Sequence, residues 1–179
     1  MNIYVAILRG INVSGQRMIN MKELKGLFER EWFTGVMTYI QSGNIVFKSE
    51  EKDTKKLATM VEKLIENHYT FEVPVIIFSQ TQMQDIASKN PFTKRENETT
   101  KLHITFLDDV PKKELLKQIV DEKYQSDEFY IDGENIYLYC PDGYGMTKFS
   151  TVFFEKKLAV TATTRNWKTI TALLELLKR

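Results

Sequence analysis

Apolar residues recur along this chain at two periods, and the switches between them lay out the elements. In the first eight residues Ile3, Val5 and Ile7 alternate with Tyr4, Ala6 and Leu8, so both faces of one strand are apolar. Such a strand needs cover on both sides and belongs at the centre of a sheet, with Tyr4, Ala6 and Leu8 as inaccessible as Ile3, Val5 and Ile7. After the loop Arg9 to Ile19, Asn20 with Glu23 three positions on suits a capped helix start, and Met21, Leu24, Leu27 and Phe28 share a face. Gly35 breaks that period. Val36 to Ile40 and Ile45 to Lys48 read as a hairpin around Gln41, Ser42, Gly43 and Asn44, where Gly and Asn take positive φ at little steric penalty. Leu57, Met60, Val61, Leu64 and Ile65 then form a helical stripe. Val73 to Phe78 is a β-branched strand beginning beside Pro74, and Thr81 to Ser88 a short helix ended by Asn90 and Pro91.

Thr93 to Thr100 has charge, Asn and Thr without apolar period, as a linker does. The order then restarts. Leu102 to Leu107 predicts a strand, and Pro111 opens a helix with Leu115, Leu116, Ile119 and Val120 on one side. Phe129 to Ile131 pairs with Ile136 to Cys140 across Asp132, Gly133, Glu134 and Asn135. Phe149, Val152 and Phe153 mark a helix, Val160 to Thr163 a short strand, and Trp167, Ile170, Leu173, Leu174 and Leu177 a closing helix. Tyr39-Ile40 and Asn44-Ile45 recur as Tyr130-Ile131 and Asn135-Ile136 at a constant offset. Shared letters and shared order predict an α+β fold, a tandem duplication of two ferredoxin-like β-α-β-β-α-β-α halves. Residues 1–92 would form the first half, 93–100 the linker and 101–179 the second, with Asn44 lying over Asn135.

Ferredoxin-like strand directions bring the loop after the first strand to the central hairpin, gathering Arg9, Asn12 and Asn44. In the second half they bring the loop Pro141 to Lys148 to the turn Thr163 to Trp167. In that loop, Gly143, Gly145, Thr147 and Lys148 offer open amides, a hydroxyl and an ammonium before a helix, a set suited to a phosphate or carboxylate. The Walker A spacing is absent. Arg165 beside Lys148 would make an anion clamp, with Asn166 either in the site or capping the last helix. The plainer alternatives are a glycine turn with Thr147 capping the helix that follows, and Asn side chains that brace loops through backbone hydrogen bonds.

Charge changes the picture by exclusion. The 179 residues carry 25 Lys and Arg against 24 Asp and Glu, a formal charge of +1, without the basic excess of a duplex-DNA binder. Met1 to Leu8 has no basic leader, and Arg9 and Asn12 stop its apolar run short of a membrane span. One cysteine, Cys140, excludes an internal disulfide and reads as a buried small hydrophobe; the cytoplasm is the expected compartment. His68 and His103 lack partners at metal-ligand spacing, so no metal or other cofactor is expected.

Five separated motifs occur in order: Tyr4 to Val13; Tyr39 to Phe47; Asn90-Pro91-Phe92; Pro141-Asp142-Gly143 with Gly145 and Lys148; and Thr164-Arg165-Asn166-Trp167. Together they resemble the bacterial family called domain of unknown function 1697. The resemblance implies a duplicated α/β fold with ferredoxin-like halves, and no activity. Ser14-Gly15 stands where that family often has paired glycines, Thr147 where it has Ser, and Lys168 where Asn is expected. The favoured function is binding of an anionic small molecule, a nucleotide among the candidates, by a monomer or weak dimer. A single-stranded nucleic-acid module and an enzyme acting on a phosphorylated metabolite are the alternatives, although no catalytic base stands out.

Overall fold

The computed structural model describes residues 1–94 and 98–179; Arg95, Glu96 and Asn97, within the expected linker, lie outside the described residues. The chain divides into two compact units, Met1–Asp85 with Ala172–Arg179, and Ile86–Thr171. The fold is mixed α+β, with two four-stranded antiparallel sheets and, among the described residues, six α-helices.

In the first unit, β1 (Asn2–Leu8), β2 (Thr34–Tyr39), β3 (Asn44–Ser49) and β4 (Val75–Ser79) line up in the order β2-β3-β1-β4. The doubly apolar β1 is central, as its pattern requires: Tyr4 to Leu8 are all buried, and only Ile3, near the strand's start, is half-buried. Helix α1 (Met21–Arg30) begins where Asn20 accepts from the amides of Lys22 and Glu23 at 2.9 and 3.3 Å, and it buries Met21, Leu24, Leu27 and Phe28. Glu23 does not close a capping box; its carboxylate meets His68 Nε2 at 2.9 Å. Helix α2 (Thr54–Tyr69), capped by Asp53, buries Leu57, Val61 and Ile65. Each such side chain contributes roughly 1.5–3 kcal/mol on leaving water.

The hairpin turn differs from expectation at one residue. Positive φ falls on Ile40 (50°) and Gly43 (81°), while Asn44 is the first residue of β3, paired with Ile7 and fully buried. Gly43 has a second reason to be glycine: a Cβ there would sit 2.7 Å from Ile11 Cδ1 and 2.8 Å from Leu8 Cβ. After β4, helix α3 spans Gln80–Ser88.

In the second unit, β5 (Leu102–Leu107), β6 (Glu128–Asp132), β7 (Asn135–Tyr139) and β8 (Ala162–Asn166) form the order β6-β7-β5-β8. The two hairpins turn differently. Tyr39 pairs with Asn44 across four residues, whereas Asp132 pairs with Asn135 across two, so Tyr130 opposes Tyr137 rather than Asn135. Asn44 and Asn135 each open the third strand of their sheet, but the recurring Tyr-Ile letters occupy different registers.

Three sequence readings change here. Helix α4 is only Lys113–Lys117; Lys112 supplies no side-chain cap, and Val120 is exposed. Helix α5 (Thr151–Leu158) starts after Phe149, with Ser150 as its cap, and buries Phe154 and Leu158 while Val152 faces out. Strand β8 starts two residues later than expected and runs three residues past the expected end at Thr163, because Thr164, Arg165 and Asn166 still pair with Thr105, Ile104 and His103 of β5. Helix α6 (Trp167–Leu176) closes the chain, with Ile170, Leu173 and Leu177 buried.

Candidate functional site

In the second unit the ends of β7 and β8 meet the start of β5. Strand alternation sends His103, Thr105, Thr164 and Asn166 to one face, and Ile104, Thr163 and Arg165 to the other. On the first face the hydroxyls of Thr105 and Thr164, opposite one another across the strands, lie 2.7 Å apart, and Thr151 at the start of α5 reaches Thr164 at 2.9 Å. The loop after β7 lowers Tyr144 onto this group. Its hydroxyl accepts from the Thr151 amide at 3.1 Å and reaches Thr164 Oγ1 at 3.1 Å. Its ring stacks on the buried imidazole of His103 at 4.7 Å and 24°.

The glycines set that loop's path. Gly143 takes φ 95° and ψ 146°, a conformation that suits a residue without Cβ. A Cβ at Gly145 would meet nothing within 4 Å. The amides of Tyr144 and Gly145 donate to no acceptor among the described residues. Thr147 accepts from the Phe149 amide at 3.0 Å, a turn two residues long ahead of the helix; α5 is capped by Ser150, so Thr147 is not the helix cap of its plainer reading. Cys140, just before the loop, is fully buried, and burial pushes its thiol up to about 12, which makes it a poor nucleophile.

Lys148 places its ammonium 2.7 Å from Glu122, and Lys157 comes within 3.5 Å of the same carboxylate. Both ammoniums lie about 6 Å from the centre of the Phe153 ring, at 5.9 and 6.0 Å. Lys148, hydrogen-bonded to Glu122, holds that carboxyl below the usual carboxylate range. Arg165 is buried on the opposite face, where Nη1 donates to Thr163 Oγ1 and the Thr164 carbonyl at 2.9 Å each. Burial holds its pKa down at about 10. Lys148 and Arg165 therefore do not make the expected clamp: β8 continues as a strand through Arg165, and its alternation turns the guanidinium away from the glycine loop. Asn166 accepts from the Thr169 amide at 2.8 Å, capping α6.

In the first unit Asn12 and Asn44 both reach residues of the hairpin turn, and most of their hydrogen bonds go to backbone. Asn12, at φ 55°, donates to the carbonyls of Ile19 and Gln41 at 3.0 and 2.8 Å and accepts from the Ile19 amide at 2.8 Å. Asn44 donates to the Tyr39 carbonyl at 3.0 Å and to Ser42 Oγ at 3.1 Å. The Arg9 amide donates to the Pro74 carbonyl at 2.9 Å. Nearby, burial foremost and then Glu23 push the Tyr69 hydroxyl up to about 12.

A profile of proteins of unknown function, DUF1697, matches residues 1–137, three quarters of the sequence. The chain belongs to the DUF1697 family. This DUF1697 protein is also similar in structure to the conserved bacterial protein SP0830 from Streptococcus pneumoniae, with a TM-score of 0.78 and 21% identity over 98% of each chain. That likeness carries the fold alone. No curated protein matches the sequence.

His103, Tyr144, Glu122 and Lys157 were absent from the sequence-based site. His103 and Thr105 did leave a signal, as two polar residues two apart in an otherwise apolar strand. Glu122 left none. Among the described residues no three His, Cys, Asp or Glu side chains gather to hold a metal ion, and no helix is long and apolar enough to cross a membrane.

Proposed function

We propose that this DUF1697 protein binds a small molecule bearing a phosphate or carboxylate at the glycine loop from Gly143 to Lys148. The observation that carries this reading is charge arithmetic beside open amides: Lys148 and Lys157 share the single carboxylate of Glu122. These three side chains sum to one positive charge, and Lys148 closes the loop that carries the open Tyr144 and Gly145 amides and, before them, the Asp142 carboxylate. An anion bridging the amides and Lys148 would gain charge-assisted hydrogen bonds, and Glu122 would limit its affinity. The nucleic-acid alternative gains less support, because Tyr4 and Tyr137 in the sheets are buried rather than offered for stacking.

We further infer that both units are ferredoxin-like copies of one ancestral unit in a cytoplasmic protein. Support comes from the common strand order and from Asn44 and Asn135 at the head of the third strand in each sheet. The lone buried thiol suits a reducing compartment.

The test is isothermal titration of the wild-type chain and Lys148→Ala with inorganic phosphate, nucleoside monophosphates and citrate at low and high salt. The substitution should weaken a binding anion roughly tenfold, about 1.4 kcal/mol, and salt should weaken it further. Binding with equal affinity to both chains, or no anion bound by the wild type, would remove the glycine loop as the site.

A further inference from the structure

Strands β2 and β6 stand at the same edge of their respective sheets, and the two edges are built differently. Strand β2 is broken: its register with β3 shifts between Thr34 and Met37, and Gly35 inside it takes φ 59°. A bulge of that kind keeps further strands off an edge. Strand β6 has no such break. All of its residues, Glu128 to Asp132, pair with β7 in one continuous register, and none of them is Pro, Gly or Lys.

Hydrogen-bond alternation fixes which backbone groups β6 leaves open. The Leu107 amide donates to the Glu134 carbonyl and the Cys140 amide to the Lys101 carbonyl, so Ile136 and Leu138, in phase with Glu134 and Cys140, turn their backbone groups to β5. Asn135, Tyr137 and Tyr139 turn theirs to β6, where their partners are Asp132, Tyr130 and Glu128. The N–H and C=O groups of Phe129 and Ile131 therefore point to the open edge. Among the described residues none of these groups is hydrogen-bonded outside the sheet.

The side chains of this edge specify what fits it. Phe129 and Ile131 pack against the core, while Glu128, Tyr130 and Asp132 share the other face. Tyr130 is 53% exposed and stacks on Tyr137. Residues 127–134 hold four carboxylates and no basic side chain, in a chain whose formal charge is +1. Asp132 has a loose ion pair with Lys89 at 3.8 Å, and its side chain stays 43% exposed. Pairing β6 with a second copy of itself about Tyr130 would set Glu128 against Asp132 twice, and like charges directly opposite are destabilising. The same carboxylates favour a strand that brings lysines to those two positions.

We propose that the open edge of β6 is a docking site for an extended basic peptide, which adds a fifth strand antiparallel to β6, as every pairing in this sheet is antiparallel. Alternate residues of the peptide set Lys, an aromatic ring and Lys over Asp132, Tyr130 and Glu128, and the residues between them exchange hydrogen bonds with Phe129 and Ile131. The proposal does not rest on the anion reading, since it uses neither the glycine loop nor Lys148.

The test titrates the full chain into a blocked, fluorescently labelled peptide, Thr-Lys-Val-Tyr-Val-Lys-Thr, at low salt and follows anisotropy. The wild type should bind it, and the same peptide with Glu for both Lys should bind about tenfold more weakly. Methylating the backbone nitrogens of both Val should abolish binding, because those amides pair with the edge. Bound peptide should slow amide exchange at Phe129 and Ile131 and leave Tyr130, already bonded to β7, unchanged. In Glu128→Lys combined with Asp132→Lys the preference between the two peptides should reverse; if that variant does not fold, the methylated peptide and the exchange pattern decide on the wild type. No binding of the Lys peptide by the wild type would overturn the proposal and leave the carboxylates as protection of the edge against self-pairing. Binding indifferent to methylation, or without slowed exchange at Phe129 and Ile131, would overturn it equally, marking a diffuse attraction of charge.

Discussion

Both units gather polar side chains at one end of a sheet, and they differ in where the hydrogen bonds end. In the first unit Asn12 and Asn44 reach mainly backbone carbonyls and amides of neighbouring turns. In the second, hydroxyls reach one another, ammoniums share a carboxylate, and two loop amides are left open. Short amides tied to backbone fix the course of a chain, so removing them should cost stability. Side chains tied mainly to one another can be re-paired with a ligand, so removing them should cost binding more than stability.

The largest expected effect separates the two hairpin turns. Gly43→Ala should destabilise by about 2–4 kcal/mol, since positive φ and the clash with Leu8 and Ile11 add. Gly133→Ala, at φ 58° with open space around it, should cost about 1 kcal/mol from backbone conformation alone. Equal midpoint shifts in urea would show that close approach plays no part at Gly43. Asn12→Ala should follow, at roughly 1–3 kcal/mol, because it strands the Ile19 amide and two carbonyls; a loss below 0.5 kcal/mol would break the bracing account.

A pH titration sharpens the comparison on the other side. Burial outweighs the neighbouring Lys101 carbonyl and holds the His103 pKa below its ordinary 6.5. The unfolded chain therefore takes up this proton at higher pH than the folded one. Stability is intact above about 6.5 and falls as pH drops from there toward the folded value. Denaturant midpoints measured through that window should lose part of their slope in His103→Phe. An unchanged slope would mean that the imidazole is not held neutral. The smallest effect on stability is expected at Lys148→Ala, within about 0.5 kcal/mol, because its pair with Glu122 is partly solvated; thermal melts check it.

Much of this contrast is legible in the sequence. The two-faced apolar β1, the Asn20 cap, the buried stripe of α2 and the meeting of Asn12 with the hairpin turn followed from period and strand direction. What escaped depended on pairing between distant segments. Strand β8 continues through Arg165 and Asn166 because β5 lies alongside, and the polar letters of that stretch show no alternation that would announce it. That extension separated Arg165 from Lys148. Glu122, the partner of Lys148, follows a helix too short to set a period. Phe149 and Phe154 are both buried, yet α5 starts between them at Thr151, so a stripe begun at Phe149 starts the helix two residues early and puts Val152 inside.

The most direct test follows backbone amides by ¹H–¹⁵N correlation spectra during titration with inorganic phosphate at low ionic strength. The account predicts saturable shifts at Tyr144, Gly145 and Lys148, reversed by added salt, with Asn12 and Asn44 unmoved. Shifts centred on Asn12 and Asn44, or none at the glycine loop at any phosphate concentration, would contradict it.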